Sequence, residues 1–133
     1  MSQENVEIVR RYYEAANRRD FSLLPELVDP DIEIDLSRNV FNPDVYQGYA
    51  GFRRWVRVVE DMWDNFRAVS IDLVAAGDNV VAAVTMRGRN KRSGVDVTMN
   101  IFNVFTLRDS RVLRIVGGYR ERSEALQAAG LSG

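Results

Sequence analysis

The sequence predicts an α+β domain, with helices mostly in the first half of the chain and an antiparallel sheet mostly in the second. Three segments before residue 64 carry apolar residues every three or four positions, the period of an amphipathic helix. Positions 66–119 instead alternate apolar and polar residues, as strands do. A chain of 133 residues lies in the usual range for one domain with one core. We therefore expect a single domain over residues 1–133.

The first helix is predicted by an apolar stripe that ends at the polar residues 17–20. The stripe consists of Val6, Val9, Tyr13 and Ala16, joined by Ile8 and Tyr12. A second, short helix is indicated by Leu23, Leu24, Leu27 and Val28. Pro25 fits its first turn, where a backbone N–H has no intrahelical partner. The turn at residues 29–31 is expected to end this helix, and residues 32–36 alternate as a strand.

A third helix is predicted where large apolar residues recur on one face. These residues are Phe52, Trp55, Val56, Val59, Met62 and Trp63. Burying a side chain of this size contributes about 1.5 to 3 kcal/mol, so the stripe is first of all core. Ligand stacking by Trp55 or Trp63 remains an alternative. Arg53, near the start of this helix, is expected to be solvated, with pairing to a ligand carboxylate as its alternative.

Four further strands are predicted, and a short terminal helix follows them. The strands span residues 66–76, 79–89, 95–107 and 111–119, and the helix spans residues 121–129. The turns between the strands are too short to hold crossover helices, which predicts an antiparallel meander. In the third of these strands one face is apolar, including Met99 and Ile101, except for Asn103. Because an unpaired buried amide costs about 1 to 3 kcal/mol, Asn103 is expected to have a partner or a function.

Composition excludes several classes of chemistry. The chain has no Cys and no His, so thiolate catalysis, disulfides and His- or Cys-ligated metal sites are excluded, and we expect no metal or cofactor. A formal net charge of −1, with arginines interleaved with acids, argues against a nucleic-acid partner. No apolar run is long enough to span a membrane, and the first residues lack signal-peptide features. A cytoplasmic location is the expectation.

The order of helix, short helix, Asp-Pro-Asp turn and strand resembles the opening of the NTF2-like superfamily, in particular its SnoaL-like branch and the ketosteroid isomerases. This resemblance implies a cone in which a curved antiparallel sheet is wrapped by three N-terminal helices. Superfamily members include isomerases, cyclases, dehydratases, epoxide hydrolases and binding modules, so the fold does not imply one reaction. Members commonly pair sheet to sheet. Together with Phe102 and Val104 on the outer face, this leads us to expect a homodimer.

The resemblance also implies site residues. The pattern Tyr-x-x-Ala-x-Asn-x-x-Asp matches Tyr12 to the tyrosine that ketosteroid isomerases use as an oxyanion hydrogen-bond donor. Asn103 falls at their second donor, and Tyr119 at an aromatic of the pocket wall. Leu36 stands where those enzymes keep an aspartate base. Asp35 is the neighbouring candidate base, although strand alternation sends it to the other face.

We therefore expect a pocket for a mostly apolar organic ligand whose carbonyl or hydroxyl oxygen faces Tyr12 and Asn103. The expected ligand contacts are Trp55, Trp63, Met99, Ile101 and Tyr119. Asp44 and Tyr46, in the loop of residues 37–48, are expected near the mouth. Isomerase- or cyclase-type proton transfer is one hypothesis for function, and a non-catalytic binding or dimerisation module is the other. Tyr12 and Asn103 could also be structural, with Asn103 bonded to Tyr12 or to a buried water.

Overall fold

The structure, a computed structural model, describes residues 2–39 and 43–131. The first half of the chain holds α1 (Ser2–Asn17), a 3-10 turn (Phe21–Leu23), α2 (Leu24–Leu27), β1 (Val28–Asp35), β2 (Val45–Gln47) and α3 (Gly48–Met62). The second half holds β3 (Trp63–Ala76), β4 (Asn79–Asn90), β5 (Asp96–Arg108), β6 (Arg111–Tyr119) and α4 (Arg122–Ala128). The strands form one curved, unclosed sheet in the order β2-β1-β6-β5-β4-β3. The predicted α+β class, with a curved sheet and helices packed against it, is confirmed.

The sheet is mixed because β1 pairs in parallel with β6. Strands β3 to β6 form the predicted antiparallel meander. In the parallel pair, Ile34 lies opposite Ile115 and Asp35 opposite Val116. The short turns between consecutive strands do not predict this pair, since β1 and β6 are far apart in the chain and no turn fixes their relative direction. As a result, the segments that follow β1 and β6 leave the sheet at the same edge.

Two predicted boundaries are corrected by the structure. Trp63 is the first residue of β3 rather than the last of the helix, because α3 ends at Met62 and Trp63 has extended dihedrals (φ −129°, ψ 141°). The expected Asp-Pro-Asp turn lies inside β1, where the register with β6 shifts between Val28 and Glu33. Asp29 accepts a hydrogen bond there from the Asp31 N–H at 2.8 Å. The segment is therefore a side-chain-stabilised irregularity within a strand.

The outer face of the sheet is covered in part by the chain itself. Val104 is buried in a cluster with Tyr119 and with Ala125 and Ala129 at the C-terminal helix, while Phe102 packs beside them half-buried. The apolar residue Val104 thus has an intramolecular explanation that the strand pattern alone did not reveal. Homodimerisation through this face stays a prediction. Among residues 2–39 and 43–131, no helix is both long and apolar enough to cross a membrane.

A bulge in β6 shapes the inner face of the sheet. Phe102 pairs with Tyr119 and Val104 with Val116, so two residues of β6, Gly117 and Gly118, lie opposite Asn103. Gly118 has a φ of +86°, a conformation that favours glycine. A Cβ on Gly117 would lie 2.8 Å from Leu36 Cδ2 and 3.1 Å from Asn103 Oδ1. The two glycines therefore let the strand bend and approach the Asn103 side chain closely.

Candidate functional site

A cavity of about 450 Å³ lies between the inner face of the sheet and the helices α1 and α3. Most of its wall is apolar, contributed by strands and by one face of α3. The apolar lining includes Ile34, Leu36, Trp55, Trp63, Met99 and Ile101. A cavity of this size and lining is typical of a small-molecule site.

The lining of the cavity includes a cluster of hydrogen-bonding groups. Tyr12 and Tyr13, both on α1, and Asn103, on β5, line it together. The Asn103 Nδ2 group donates a hydrogen bond to the Tyr13 hydroxyl at 2.9 Å. Phe105 packs against both tyrosines, with ring centroids 5.4 Å from Tyr12 and 5.5 Å from Tyr13. The two phenols are thus held by aromatic packing, and one of them also by an amide.

The Asn103 side chain is fixed at both of its polar atoms. While Nδ2 donates to Tyr13, Oδ1 accepts a hydrogen bond from the Gly118 N–H at 3.4 Å. That N–H belongs to the bulge in β6, which the close approach of Gly117 makes possible. Because the Tyr13 oxygen accepts from Asn103, its own O–H proton is available to donate to a ligand.

The Tyr12 hydroxyl has a different environment. This hydroxyl makes no hydrogen bond to any described residue. Every side-chain polar atom that is fully buried among these residues does have a hydrogen-bond partner. The Tyr12 oxygen therefore retains contact with open space, and Tyr12 lines the cavity. Burial raises the pKa of both Tyr12 and Tyr13 well above the usual value, and the neighbouring Tyr13 raises that of Tyr12 further. Both phenols stay protonated near neutral pH, as hydrogen-bond donors rather than bases.

The charged groups of the lining are arginines. Arg38 and Arg120 line the cavity, and no Asp, Glu or Lys does so within the described residues. Residues 40–42, which the structure does not describe, are Val, Phe and Asn and bring no carboxyl group. Among the described residues, the lining thus combines hydrogen-bond donors and positive charge with no acidic side chain. A general base for proton abstraction is missing from this lining.

The structure places the other predicted ligand contacts as follows. Trp55, Trp63, Met99 and Ile101 line the cavity, and Trp63 stacks on Phe66 with ring centroids 5.3 Å apart. Tyr119 does not line it; its ring is buried in the outer cluster. The Arg38 guanidinium carbon lies 4.4 Å from the centre of that ring, so Tyr119 contacts a residue of the cavity without facing the cavity itself.

The candidate acids are held elsewhere. Asp35 does not line the cavity: its Oδ1 accepts from the Ser37 hydroxyl at 2.6 Å and the Ser37 N–H at 3.1 Å, and Oδ2 lies 3.8 Å from Arg114. The Ser37 hydrogen bonds hold the pKa of Asp35 below its usual value, which makes it a poor proton acceptor. Asp44 accepts from the Val45 N–H and is paired with Arg54, whereas Tyr46 lines the cavity as expected.

No metal site is apparent in the part of the chain that the structure describes, where no three acidic side chains lie close enough to hold an ion. Several residues of the cavity were not predicted from the sequence, among them Tyr13, Arg38 and Arg120. Tyr13 carried a usable signal, because neighbouring residues on a helix are about 100° apart and both can face one concave surface. The arginines carried none, since they lie outside the periodic segments.

The fold is that of the NTF2-like superfamily. The model of the SnoaL-like domain family matches residues 9–115. The chain therefore belongs to the SnoaL-like domain family. No curated protein matches its sequence.

Solved structures support the same fold. An NTF2-like protein from Burkholderia xenovorans LB400 is 23% identical, covers 97% of this chain and 98% of its own, and gives a TM-score of 0.79. A candidate polyketide cyclase from Xanthomonas campestris pv. campestris is 21% identical over 96% of this chain and 98% of its own, with a TM-score of 0.77. TerC, co-crystallised with polyporic acid, is 18% identical over 96% of this chain and 98% of its own, with a TM-score of 0.75. At these identities the likeness shows the fold alone.

Proposed function

We propose that this protein binds a small, mostly apolar organic compound through a carbonyl or hydroxyl oxygen that accepts hydrogen bonds from Tyr12 and Tyr13. The observation that carries the proposal is the cluster of two protonated phenols and the Asn103 amide in the wall of a cavity of about 450 Å³. Asn103 acts by orienting Tyr13, so that the free O–H of Tyr13 is directed to the ligand. TerC, a structure with this fold, was co-crystallised with polyporic acid, which is consistent with uptake of a small organic molecule.

Isomerase- or cyclase-type proton transfer is the second candidate. The donor cluster favours it, since such donors stabilise an oxyanion that develops in a transition state. The missing carboxylate weighs against it, because Leu36 lines the cavity where a base would be needed and Asp35 does not. We therefore propose binding as the function, and a proton-transfer activity would have to draw its base from water or from the substrate.

The proposal is tested with a pair of compounds that differ by one carbonyl, 1-tetralone and tetralin, by isothermal titration calorimetry. Since a neutral hydrogen bond contributes about 0.5 to 1.5 kcal/mol, Tyr12→Phe and Tyr13→Phe should each weaken tetralone binding about threefold to tenfold. Tetralin binding should not change. Tyr49→Phe is the matched control, because the Tyr49 hydroxyl donates to the Val28 carbonyl at 2.8 Å and does not line the cavity.

Two results would contradict the proposal: no saturable binding of either compound, or tetralone affinity that is the same in Tyr12→Phe, Tyr13→Phe and wild type. The same samples separate binding from catalysis. In heavy water, a proton-transfer enzyme would accelerate deuterium exchange at the α-carbon of tetralone, which NMR measures directly. A binding protein would leave that exchange at the buffer rate.

A further inference from the structure

The mouth of the cavity carries two arginines that the topology brings together. Arg38 follows β1 and Arg120 follows β6, and these strands are parallel neighbours, with Asp35 opposite Val116. Their ends therefore leave the sheet at the same edge. Contact at this edge is close, because a Cβ on Gly118 would lie 3.3 Å from the Arg38 Cβ. Arg38 and Arg120 both line the cavity.

These arginines form no close ion pair within the described residues, although the charge of Arg38 acts at longer range on Asp35, whose pKa it helps to lower. Neither Arg38 nor Arg120 has a carboxylate within 4.0 Å, whereas Arg54, Arg89, Arg108 and Arg114 each do. Asp35, three residues before Arg38, already accepts from Ser37 and lies near Arg114. Arg38 rests its guanidinium face on the Tyr119 ring, an arrangement that leaves the N–H edges of the fork free.

We infer that the ligand is an organic acid, whose carboxylate or other acidic oxygen is bound at the mouth by Arg38 and Arg120 while its apolar body fills the cavity. This inference rests on the proposed function and adds the charge of the ligand to it. A cavity that combines apolar walls, neutral donors and two arginines without an ion pair among the described residues selects an amphipathic anion. Charge-assisted hydrogen bonds from guanidinium groups are roughly twice as strong as neutral ones.

The test compares 6-hydroxy-2-naphthoate with 6-hydroxy-2-naphthamide, which share rings, hydroxyl and shape but differ in charge. At pH 7 and low salt, wild type should bind the acid about tenfold more tightly than the amide. Arg38→Gln and Arg120→Gln should each reduce this preference, and the double variant should abolish it, with a much smaller loss of affinity for the amide than for the acid. Raising the salt concentration should weaken binding of the acid but not of the amide, since salt screens interactions between charges.

Arg53→Gln is the matched control, because Arg53 is exposed on α3 and does not line the cavity. Its preference for the acid should equal that of wild type, and thermal melting should confirm that every variant is folded. Equal affinity for acid and amide in wild type, or a preference that survives in the double variant, overturns the inference and leaves the proposed function standing. Failure of both probes to bind overturns the proposed function as well.

Discussion

Asn103 connects the sheet to α1 through its side-chain amide. Nδ2 donates to the Tyr13 hydroxyl at 2.9 Å, and Oδ1 accepts from the Gly118 N–H at 3.4 Å. Its position on an apolar strand face was enough to predict that this residue needs a partner. The identity of the partner was not predictable, because Tyr12 and Tyr13 are adjacent on the helix and both are buried. Only the relative placement of α1 and β5 distinguishes them.

A double-mutant cycle on Tyr13→Phe and Asn103→Leu tests this connection. Tyr13→Phe should lower the free energy of unfolding by about 1 kcal/mol, because it removes one side of the hydrogen bond. Asn103→Leu should lower it by more, because it removes the other side and also the acceptor of the Gly118 N–H. The double variant should lose less free energy of unfolding than the two single variants together, with a coupling energy of about 0.5 to 1.5 kcal/mol. The reason is that the second substitution has no Tyr13–Asn103 hydrogen bond left to break. Urea unfolding provides the four free energies.

Replacing Tyr12 instead of Tyr13 in the same cycle serves as its control, because the Tyr12 hydroxyl has no bond to Asn103. We expect the effects of Tyr12→Phe and Asn103→Leu to add. Additive effects for Tyr13 and Asn103, or an Asn103→Leu variant more stable than wild type, would contradict the structural role assigned to the amide.

At the scale of elements, the junction of α2 and β1 depends on a buried carboxylate. Asp29 is 4% exposed and accepts from the Asp31 N–H at 2.8 Å. Arg108 Nη2, from the end of β5, lies 3.2 Å from both Asp29 carboxylate oxygens. The Asp31 N–H, and after it Arg108, hold the pKa of Asp29 below its usual value against the effect of burial. This pair ties the irregular start of β1 to the meander.

Asp29→Asn should lower the free energy of unfolding at pH 7 by about 1.5 to 3 kcal/mol, the usual range for a hydrogen bond to a charged group. A lowered pKa in the folded state stabilises above the ordinary Asp pKa of about 3.9, and this contribution is lost as pH falls through the folded-state value. The difference between wild type and Asp29→Asn should therefore shrink in urea unfolding below about pH 4.

Asp31→Asn is the comparison, because the Asp31 carboxylate lies 3.3 Å from the same arginine but its side chain is 80% exposed. We expect it to change the free energy of unfolding much less, since exposed ion pairs contribute little. An Asp29→Asn deficit that is as large at pH 3 as at pH 7, or an equal deficit in Asp31→Asn, would show that the buried charge is not the cause.

Periodicity predicted most elements well, and its failures have physical causes. Strand β6 was placed at its observed bounds, and α4 was expected at residues 121–129 and found at Arg122–Ala128. Trp63 was assigned to the helix because its spacing from Phe52 and Val59 fits an α-helix, although the backbone is already extended there. An apolar residue that begins a buried strand cannot be distinguished from the last residue of a buried helix by spacing alone.

At the scale of the whole molecule, the parallel pairing of β1 with β6 determines where the two arginines of the cavity lie, which the sequence could not predict. It brings the segments around Arg38 and Arg120 to one edge, so the positive mouth depends on a pairing between strands about 80 residues apart. The donor residues Tyr12 and Asn103 differ from the arginines in this respect, because local sequence patterns and the family resemblance predicted both of them as site residues. The chain has a formal net charge of −1, yet the cavity is lined by two cations and no anion among the described residues.

The central claim is that a ligand oxygen accepts hydrogen bonds from the phenols of α1 inside this cavity. The most direct measurement is the ¹³C chemical shift of carbonyl-labelled 1-tetralone bound to the protein. When a carbonyl group passes from water into apolar surroundings it loses its hydrogen bonds, and its ¹³C resonance shifts upfield. One bound to Tyr12 and Tyr13 should stay at or downfield of its position in water, and should shift upfield in the Tyr12→Phe, Tyr13→Phe double variant. An upfield shift in wild type, unchanged in the double variant, would contradict the account.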